Sequence, residues 1–591
     1  MTGLPIPPGT GSSPSPLSRV ASGDWAGGGG SPSALSRRNG GGDGEGASPP
    51  AQSPRPTRGG LVGNVLRLTL GNVGSRVLGL AREQVVAALF GTSVAASTFS
   101  AASRVPTMVY DLLIGGALSS ALVPVFAEVA ARQEAATARG EVPRPEDDLG
   151  TVAGAVLGVA LAVLVPVAAL LMVLAEPLMD VLGAGFAPED RATATLLVRL
   201  AMPVIVLTGV AAVFQAILLA RREMTRPAIA PATYNLGIIV GALALTPWLG
   251  VASLVVGMLA GAAAQVWVQR PGAATGLRLR VFTPGDRFGA LRHPAVRRIL
   301  RLYGPVAGGL LISAAGIALD TRLASQTGEG SLAAMRYATT VVQLPLGLVA
   351  SALSAATLPV LARYGRSGFR DTGFQNTLSG AINAAVLMVA PLMVAAILLR
   401  EPIVRLLFAR GAFDEAGVAL TTTALLWYAP QLPFVALDQL LIAAFYAVQD
   451  TRTPVLAGVA GAAIFASVAI LAAPVIGMAG LVGANTVQHA AHAAILTVVL
   501  ARRGFVPGAG RLGAVIRSAG ASAVMGAVIV GIQAALPAPV GTLGLILFLM
   551  ATGGAGVGAY AATVAAMRGP EVAWVAGRIA SIRRRGSAHN G

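Results

Sequence analysis

The chain of 591 residues has no cysteine and no lysine, and only four histidines. Without cysteine there is no disulfide, no thiolate nucleophile and no thiolate metal site. Every side chain that carries a permanent positive charge is an arginine. Charge as a whole is scarce: Asp, Glu and Arg make up 12% of the residues, about half the share usual in soluble proteins. Aromatic residues are few, and no stretch interleaves them with arginine as nucleic-acid recognition segments do. The net charge of +17 is spread over many short segments, so it does not imply a nucleic-acid partner. Paired catalytic carboxylates, a nucleophile elbow and a phosphate loop ending in Gly-Lys-Ser/Thr are missing too, which argues against an enzyme. With no ATP motif, work must be driven by a gradient or by substrate flux. No cofactor is expected.

What is present is apolar: 54% of residues are hydrophobic and the mean hydropathy is +0.71. That composition implies an all-α polytopic membrane protein. Residues 1–60 are the exception, rich in Gly, Pro and Ser. They bury too little apolar surface to offset chain entropy and are expected to be a disordered tail. They lack the apolar core of a secretory signal. From Leu61 apolar runs follow one another, each long enough to cross ~30 Å of hydrocarbon as a helix. Their spacing predicts about fourteen spans. A lobe of six covers 61–270, a basic connector 271–298, a second lobe of six 299–503, two further spans 504–567, and a basic tail 568–591.

The connections support this order. Arginine is concentrated in alternate loops, at Arg221, Arg222 and Arg226, at Arg363, Arg366 and Arg370, and at Arg502 and Arg503. The intervening loops, such as Pro247–Gly250, are short and uncharged, except around Arg400–Arg410. By the positive-inside rule both termini are then cytoplasmic, in a multi-pass protein of the cytoplasmic membrane. A repeat is also visible. Ala117–Val125 recurs as Ala352–Val360, Glu176-Pro177 as Glu401-Pro402, and Arg222-Glu223 as Gln449-Asp450. Repeats of six spans keep the same orientation and are related by an axis along the membrane normal. Transporters built this way bind substrate between the halves and rock them.

Charges inside the spans are the candidates for function, because an ionised side chain at that depth costs at least ~2.5 kcal/mol and normally faces a protein interior or water. Arg76, Arg82 and Arg104 meet this description and are the candidate substrate-binding residues. Arg76 and Arg82 differ by ~120° around a helix, so they suit a wide cavity and not one narrow face. Arg76 and Glu83 share a face. The plainer alternative is that Arg82 neutralises Glu83 locally, or that one arginine snorkels to the interface. Asp111 shares a face with Arg104 and is expected to balance it. Further on, Asn485, Gln488, His489 and His492 form a polar stripe, read as interhelical hydrogen bonding or as a proton-coupling face. No carboxylate accompanies the histidines in that stretch, so a metal site is not expected. Asp320 and Arg322 are read as the end of a span sooner than as an ion site.

These residues resemble the MurJ (MviN) family of lipid II flippases, in the multidrug/oligosaccharidyl-lipid/polysaccharide exporter superfamily. The resemblance rests on Ser75-Arg76-Val77-Leu78-Gly79 with Ala81-Arg82-Glu83, and on Pro106 to Pro124. Pro227–Pro231 with Asn235, Phe408–Phe413, and Phe445-Tyr446 with Gln449-Asp450 and Thr453-Pro454 add to it. It covers about residues 61–567. It implies two six-helix lobes around a cationic cavity, and two extra helices that guide a lipid tail. The implied partners are membrane lipid, the undecaprenyl-pyrophosphate-linked peptidoglycan precursor and cell-wall synthesis proteins. Arg76, Arg82 and Arg104 match basic positions of the family. Ser97, Tyr110, Thr340 and Gln343 stand where the family carries charge. That departure keeps two rivals open: export of another polyprenyl-linked saccharide or of drugs, and a non-transporting membrane scaffold.

Overall fold

The computed structural model describes residues 58–112, 121–274, 293–506, 510–537, 539 and 541–567. Among these residues every regular element is helical. In chain order the first half contains α1 (Arg58–Phe90), α2 (Val94–Tyr110), α3 (Val123–Ala138), α4 (Leu149–Val173) and α5 (Ala175–Leu182). It continues with α6 (Pro188–Ala201), α7 (Pro203–Ala220), α8 (Thr225–Leu249) and α9 (Ala252–Ala274). The second half contains α10 (Pro294–Gln326), α11 (Ser331–Tyr364), α12 (Thr372–Leu398), α13 (Arg400–Phe408), α14 (Glu415–Tyr428), α15 (Leu432–Ala447) and α16 (Arg452–Arg502). Last come α17 (Gly510–Ala535) and α18 (Thr542–Ala566). Nine helical segments among the described residues are long and apolar enough to cross a membrane. Most of the expected tail, the centre of the basic connector and residues 568–591 lie outside the described residues. The first helix begins at Arg58, three residues before the expected boundary.

The helix ends follow from local chemistry. Asp148 caps α4 by accepting from the Thr151 backbone N–H at 2.8 Å, and Asp371 caps α12 in the same way from Phe374 at 3.0 Å. Each cap satisfies a donor that the first turn leaves unpaired. Prolines stop or bend the longer runs. The stretch 188–220 is interrupted at Met202 before Pro203, and 415–447 tightens into the short 3₁₀ turn Ala429–Gln431, which contains Pro430, while the flanking backbone stays right-handed helical at both places. A proline removes a backbone donor and collides with the preceding turn. α16 folds back on itself at Ile476 and Gly477, whose dihedrals leave the helical region.

The repeat seen in the sequence is also a repeat of backbone. Arg222 and Gln449 are the two non-glycine residues of positive φ among those described, at 60° and 62°. Each closes the same turn: Arg222 donates to Leu219 O and Glu223 to Leu218 O, while Gln449 donates to Tyr446 O and Asp450 to Phe445 O. Left-handed backbone is costly for a residue with a Cβ, so its recurrence at matching places reflects a shared scaffold. The turns at Gly250 and Gly477 match likewise, with φ of 52° and 61°.

Small residues set the packing. Gly237 and Gly241 of α8 face Gly257 and Gly261 of α9 so closely that a methyl group on any of them would strike the opposite backbone. Such contact is how membrane helices gain dispersion energy where lipid is as apolar as leucine. α17 and α18 pack on each other and on α12. Their polar groups are bonded across the interface: Tyr560 donates to Leu387 O at 2.9 Å and Gln533 to Leu398 O at 3.1 Å.

Candidate functional site

The candidate site is where the two halves of the chain meet. α1 and α11 run antiparallel there and touch at two levels. Arg76 donates to Gln343 O at 3.1 Å, and seven residues along each helix Glu83 meets Arg336. Seven residues are two helical turns, so both contacts fall on one stripe of each helix. At the upper level Glu83 is completely buried and receives two guanidinium groups. Arg336 donates through Nε at 2.9 Å to Oε2 and through Nη2 at 3.0 Å to Oε1, and Arg82 donates to Oε1. Arg82 also donates to Asn235 Oδ1 at 3.0 Å, which ties α8 to the cluster. Arg336 reaches Ser103 Oγ at 3.2 Å and stacks over the Phe99 ring at 4.9 Å, so α2 is tied in too. A planar fork that bonds in two directions and stacks on an aromatic face suits arginine.

A second ion pair crosses the same boundary in the opposite sense. Arg104 of α2 donates to Asp320 Oδ2 of α10 at 2.6 Å and to Thr321 Oγ1 at 2.8 Å. In the first pair the acid lies on α1 and the base on α11. In the second the base lies on α2 and the acid on α10. The first helix of each half thus offers a carboxylate to an arginine on the second helix of the other half.

At a rise of ~1.5 Å per residue, Glu83, Arg336 and Asp320 lie roughly 9–12 Å from the turns at 91–93 and 327–330, Arg104 roughly 17 Å, and the Arg76–Gln343 contact roughly 20 Å away along the helices. At those turns the halves touch through backbone. Tyr337 donates to Gly91 O at 2.8 Å, Ala412 N donates to Ala88 O at 2.8 Å, and Gly185 N donates to Ser325 Oγ at 3.1 Å. Gly411, at φ 61°, sits against Ala88 O with no room for a Cβ. At this end the halves are closed on each other.

The sequence candidates therefore have different surroundings. Arg76 is exposed and engages a backbone carbonyl, its guanidinium lying over Gly347. Arg82 is bound to Glu83 and Asn235. Arg104 is bound to Asp320; the expected balance with Asp111 is corrected, because Asp111 is exposed and a carboxylate from α10 takes that place. Arg322 donates to Val181 O. Sequence reasoning missed Arg336. The signal was available, since Arg336 is an arginine inside an apolar span, one turn before Thr340. Four arginines against two carboxylates leave an excess of two positive charges among Arg76, Arg82, Arg104, Arg336, Glu83 and Asp320.

A second polar cluster lies inside the second half. Asn485 and Gln488 are half-buried on α16, with Gln488 and His492 alongside Gly461 of its first arm. The expectation that no carboxylate accompanies the histidines holds for the local stretch but not in space. Asp438 of α15 lies 2.9 Å from His492 Nδ1 and 3.5 Å from His489 Nδ1. Among the described residues no group of three acidic or histidine side chains is arranged to hold a metal ion.

A helical membrane bundle with an internal repeat, whose halves are clasped by reciprocal ion pairs, has the architecture of an alternating-access transporter. The sequence model of the family described as lipid II flippase MurJ matches residues 86–550, and the chain belongs to that family. A probable lipid II flippase MurJ of Rhizobium tropici is 32% identical over 508 residues, covering 81% of this chain and 90% of the relative. The lipid II flippase MurJ of Burkholderia cenocepacia is 28% identical over 456 residues, 76% and 86% of the two chains. Among solved structures, a lipid II flippase MurJ in an inward closed conformation superposes with a TM-score of 0.67 at 20% identity. The match covers 84% of this chain and 97% of that one. An inward-facing multidrug resistance MATE family transporter gives 0.59 at 18%, covering 74% and 98%. These likenesses establish a shared fold.

Proposed function

We propose that this chain is a lipid II flippase that carries the undecaprenyl-pyrophosphate-linked peptidoglycan precursor across the cytoplasmic membrane by alternating access. It acts as a transporter and not as an enzyme. Residues 61–270 and 299–503 are its two lobes, within fourteen spans with both termini cytoplasmic. The two spans of 504–567 guide the lipid tail. The positive-inside pattern puts the closed end on the outer side. Cell-wall synthesis proteins are its further partners.

Arg76, Arg82 and Arg104 are the substrate-binding residues in this reading. The observation that carries it is the reciprocal pairing of Glu83 with Arg336 and of Arg104 with Asp320 across the two halves. Opening at that end must break both pairs, which frees Arg104 and Arg336 beside Arg76, already exposed, and leaves Arg82 shared between Glu83 and Asn235 within its own half. A pyrophosphate diester carries two negative charges, and guanidinium forks bind such a group with two hydrogen bonds each. A pyrophosphate that reaches these arginines competes with Glu83 and Asp320 for them, so binding and release are exchanges of partner.

The test is complementation of cells depleted of their own lipid II flippase. Wild-type chain is expected to rescue growth. Arg76→Ala, Arg82→Ala and Arg104→Ala, at equal membrane abundance, are expected to fail. Rescue by all three would rule out the cationic site, and failure of the wild type would rule out the substrate.

A further inference from the structure

We propose that Asp438, His489 and His492 form a proton-binding site within the second half of the chain, and that its occupancy drives the rocking described above. The inference rests on the transport reading and adds the coupling ion to it.

The geometry is that of a shared proton. His489 and His492, three residues apart, project from one face of the second arm of α16. Both present Nδ1 to the same oxygen, Oδ2 of Asp438, at 3.5 and 2.9 Å. His492 Nε2 lies 3.4 Å from Pro454 O at the start of the first arm. The site thus joins α15 to both arms of α16. Asp438 is 5% exposed, and its other oxygen, Oδ1, is buried with no partner. A buried acceptor without a donor needs a partner, and a bound proton supplies one. The other ionisable groups on helices packed against α15 are Arg336, Tyr337, Arg363 and Tyr364 of α11 and Arg452 and Arg502 at the ends of α16. Arg336 is committed to Glu83 and Tyr337 to Gly91 O. The two histidines are the groups that reach Asp438.

Charge balance sets the occupancy. With both imidazoles neutral the cluster carries one negative charge, which is costly at membrane depth. One proton makes it neutral, either as an imidazolium–carboxylate pair or as a neutral acid. Access is graded: the His489 side chain is 31% exposed and that of His492 13%. A proton enters at His489 Nε2 from water and leaves Nδ1 for Asp438 Oδ2. From there it reaches His492 Nδ1, with no bond between heavy atoms changing. The effect on the gate runs through the next residue. Gln439 O accepts from Ser354 Oγ of α11, the helix that also carries Arg336 and Gln343 to the boundary. A change of charge at Asp438 therefore acts on the helix that holds the closed end.

The experiment uses the full chain in proteoliposomes containing lipid II, with flipping measured at equal pH and under an imposed pH gradient. In parallel, histidine ring signals are followed by NMR against pH in lipid nanodiscs. Wild type is expected to flip faster under one sign of gradient. Asp438→Asn and His492→Gln are expected to lose at least ten-fold of that stimulated component, and the control His589→Gln none. Two ring signals should shift together in wild type, and Asp438→Asn should abolish their coupling. Flipping that ignores the gradient, or a gradient response or ring coupling that survives Asp438→Asn, would overturn the proton site and leave the flippase reading standing. If Asp438→Asn does not flip at all, the ring signals alone decide. Absence of flipping by wild type under every condition would instead defeat the flippase reading.

Discussion

The buried carboxylate at Glu83 allows the most direct test of the gate. Glu83→Gln keeps the shape of the side chain and removes its charge. Arg82 and Arg336 would then face each other with no counter-ion, at a position where Glu83 has no solvent exposure. Removing one partner of a buried pair costs about 3–5 kcal/mol, because it leaves an uncompensated buried charge. In the opened state the arginines separate into water or onto substrate, so most of that cost falls on the closed state alone. At 1.4 kcal/mol per factor of ten, the closed state should lose roughly two to three and a half orders of magnitude relative to the open one. A closed state favoured 99 to 1 falls to even at about 2.7 kcal/mol, so the shift is large enough to invert the populations.

The absence of cysteine makes the measurement clean. Ser93→Cys and Glu329→Cys place single thiols on exposed positions of the two turns that meet at the closed end. A short bis-maleimide should join them efficiently in the otherwise native chain. In the Glu83→Gln background the yield should fall at least five-fold, while each thiol alone still reacts. Unchanged cross-linking, with unchanged thermal stability in detergent, would refute the claim that the triad holds the halves together.

Three further outcomes are expected. Arg104→Asp and Asp320→Arg should each lower the melting point of the purified protein, and the double exchange should recover most of the loss. A double variant no better than either single one would show that the pair contributes nothing specific. Gly411→Ala, at φ 61° and against Ala88 O, should destabilise the closed end and reduce the same cross-link without affecting a cross-link within one half. Asp450 accepts from Thr453 and Arg503, and these bonds outweigh the opposing effect of its partial burial to hold its carboxyl down at about 2. Because the folded value lies below the usual 3.8, its contribution is complete above that value and fades as pH falls towards 2. The melting-point difference between wild type and Asp450→Asn should therefore be flat from pH 5 to 8 and shrink only in strong acid.

Much of the fold was legible in the sequence because lipid imposes a simple rule: each apolar run of sufficient length must be a helix. The repeat was legible for a related reason. Arg222-Glu223 and Gln449-Asp450 mark turns of unusual backbone, and such turns keep their residues in place. The interruptions at Met202 and at Ala429–Gln431 could have been read from Pro203 and Pro430, but a proline in a membrane helix either kinks or breaks it, and packing decides which. Partnership was the part that could not be read. Periodicity puts Asp111 on the face of Arg104, yet Asp320, more than two hundred residues away, takes the arginine. The same limit hid Asp438 from the histidines, since the stripe on α16 is visible in sequence and its complement on α15 is not.

That limit explains why the arginines resist a single role. An intramembrane arginine must have a partner in every state of the protein, because its desolvation does not vanish when the substrate leaves. In the closed state Glu83 and Asp320 supply that partner from within the chain, and Arg76, which meets no carboxylate among the described residues, stays exposed. A site that binds an anion in one state must therefore contain its own replacement anions for the other. If so, the affinity for a pyrophosphate headgroup is set by competition with Glu83 and Asp320 as much as by the arginines themselves. Neutralising either acid should tighten binding while slowing release. A transport rate that falls as headgroup affinity rises, in Asp320→Asn, is the combination that purely structural ion pairs would not produce.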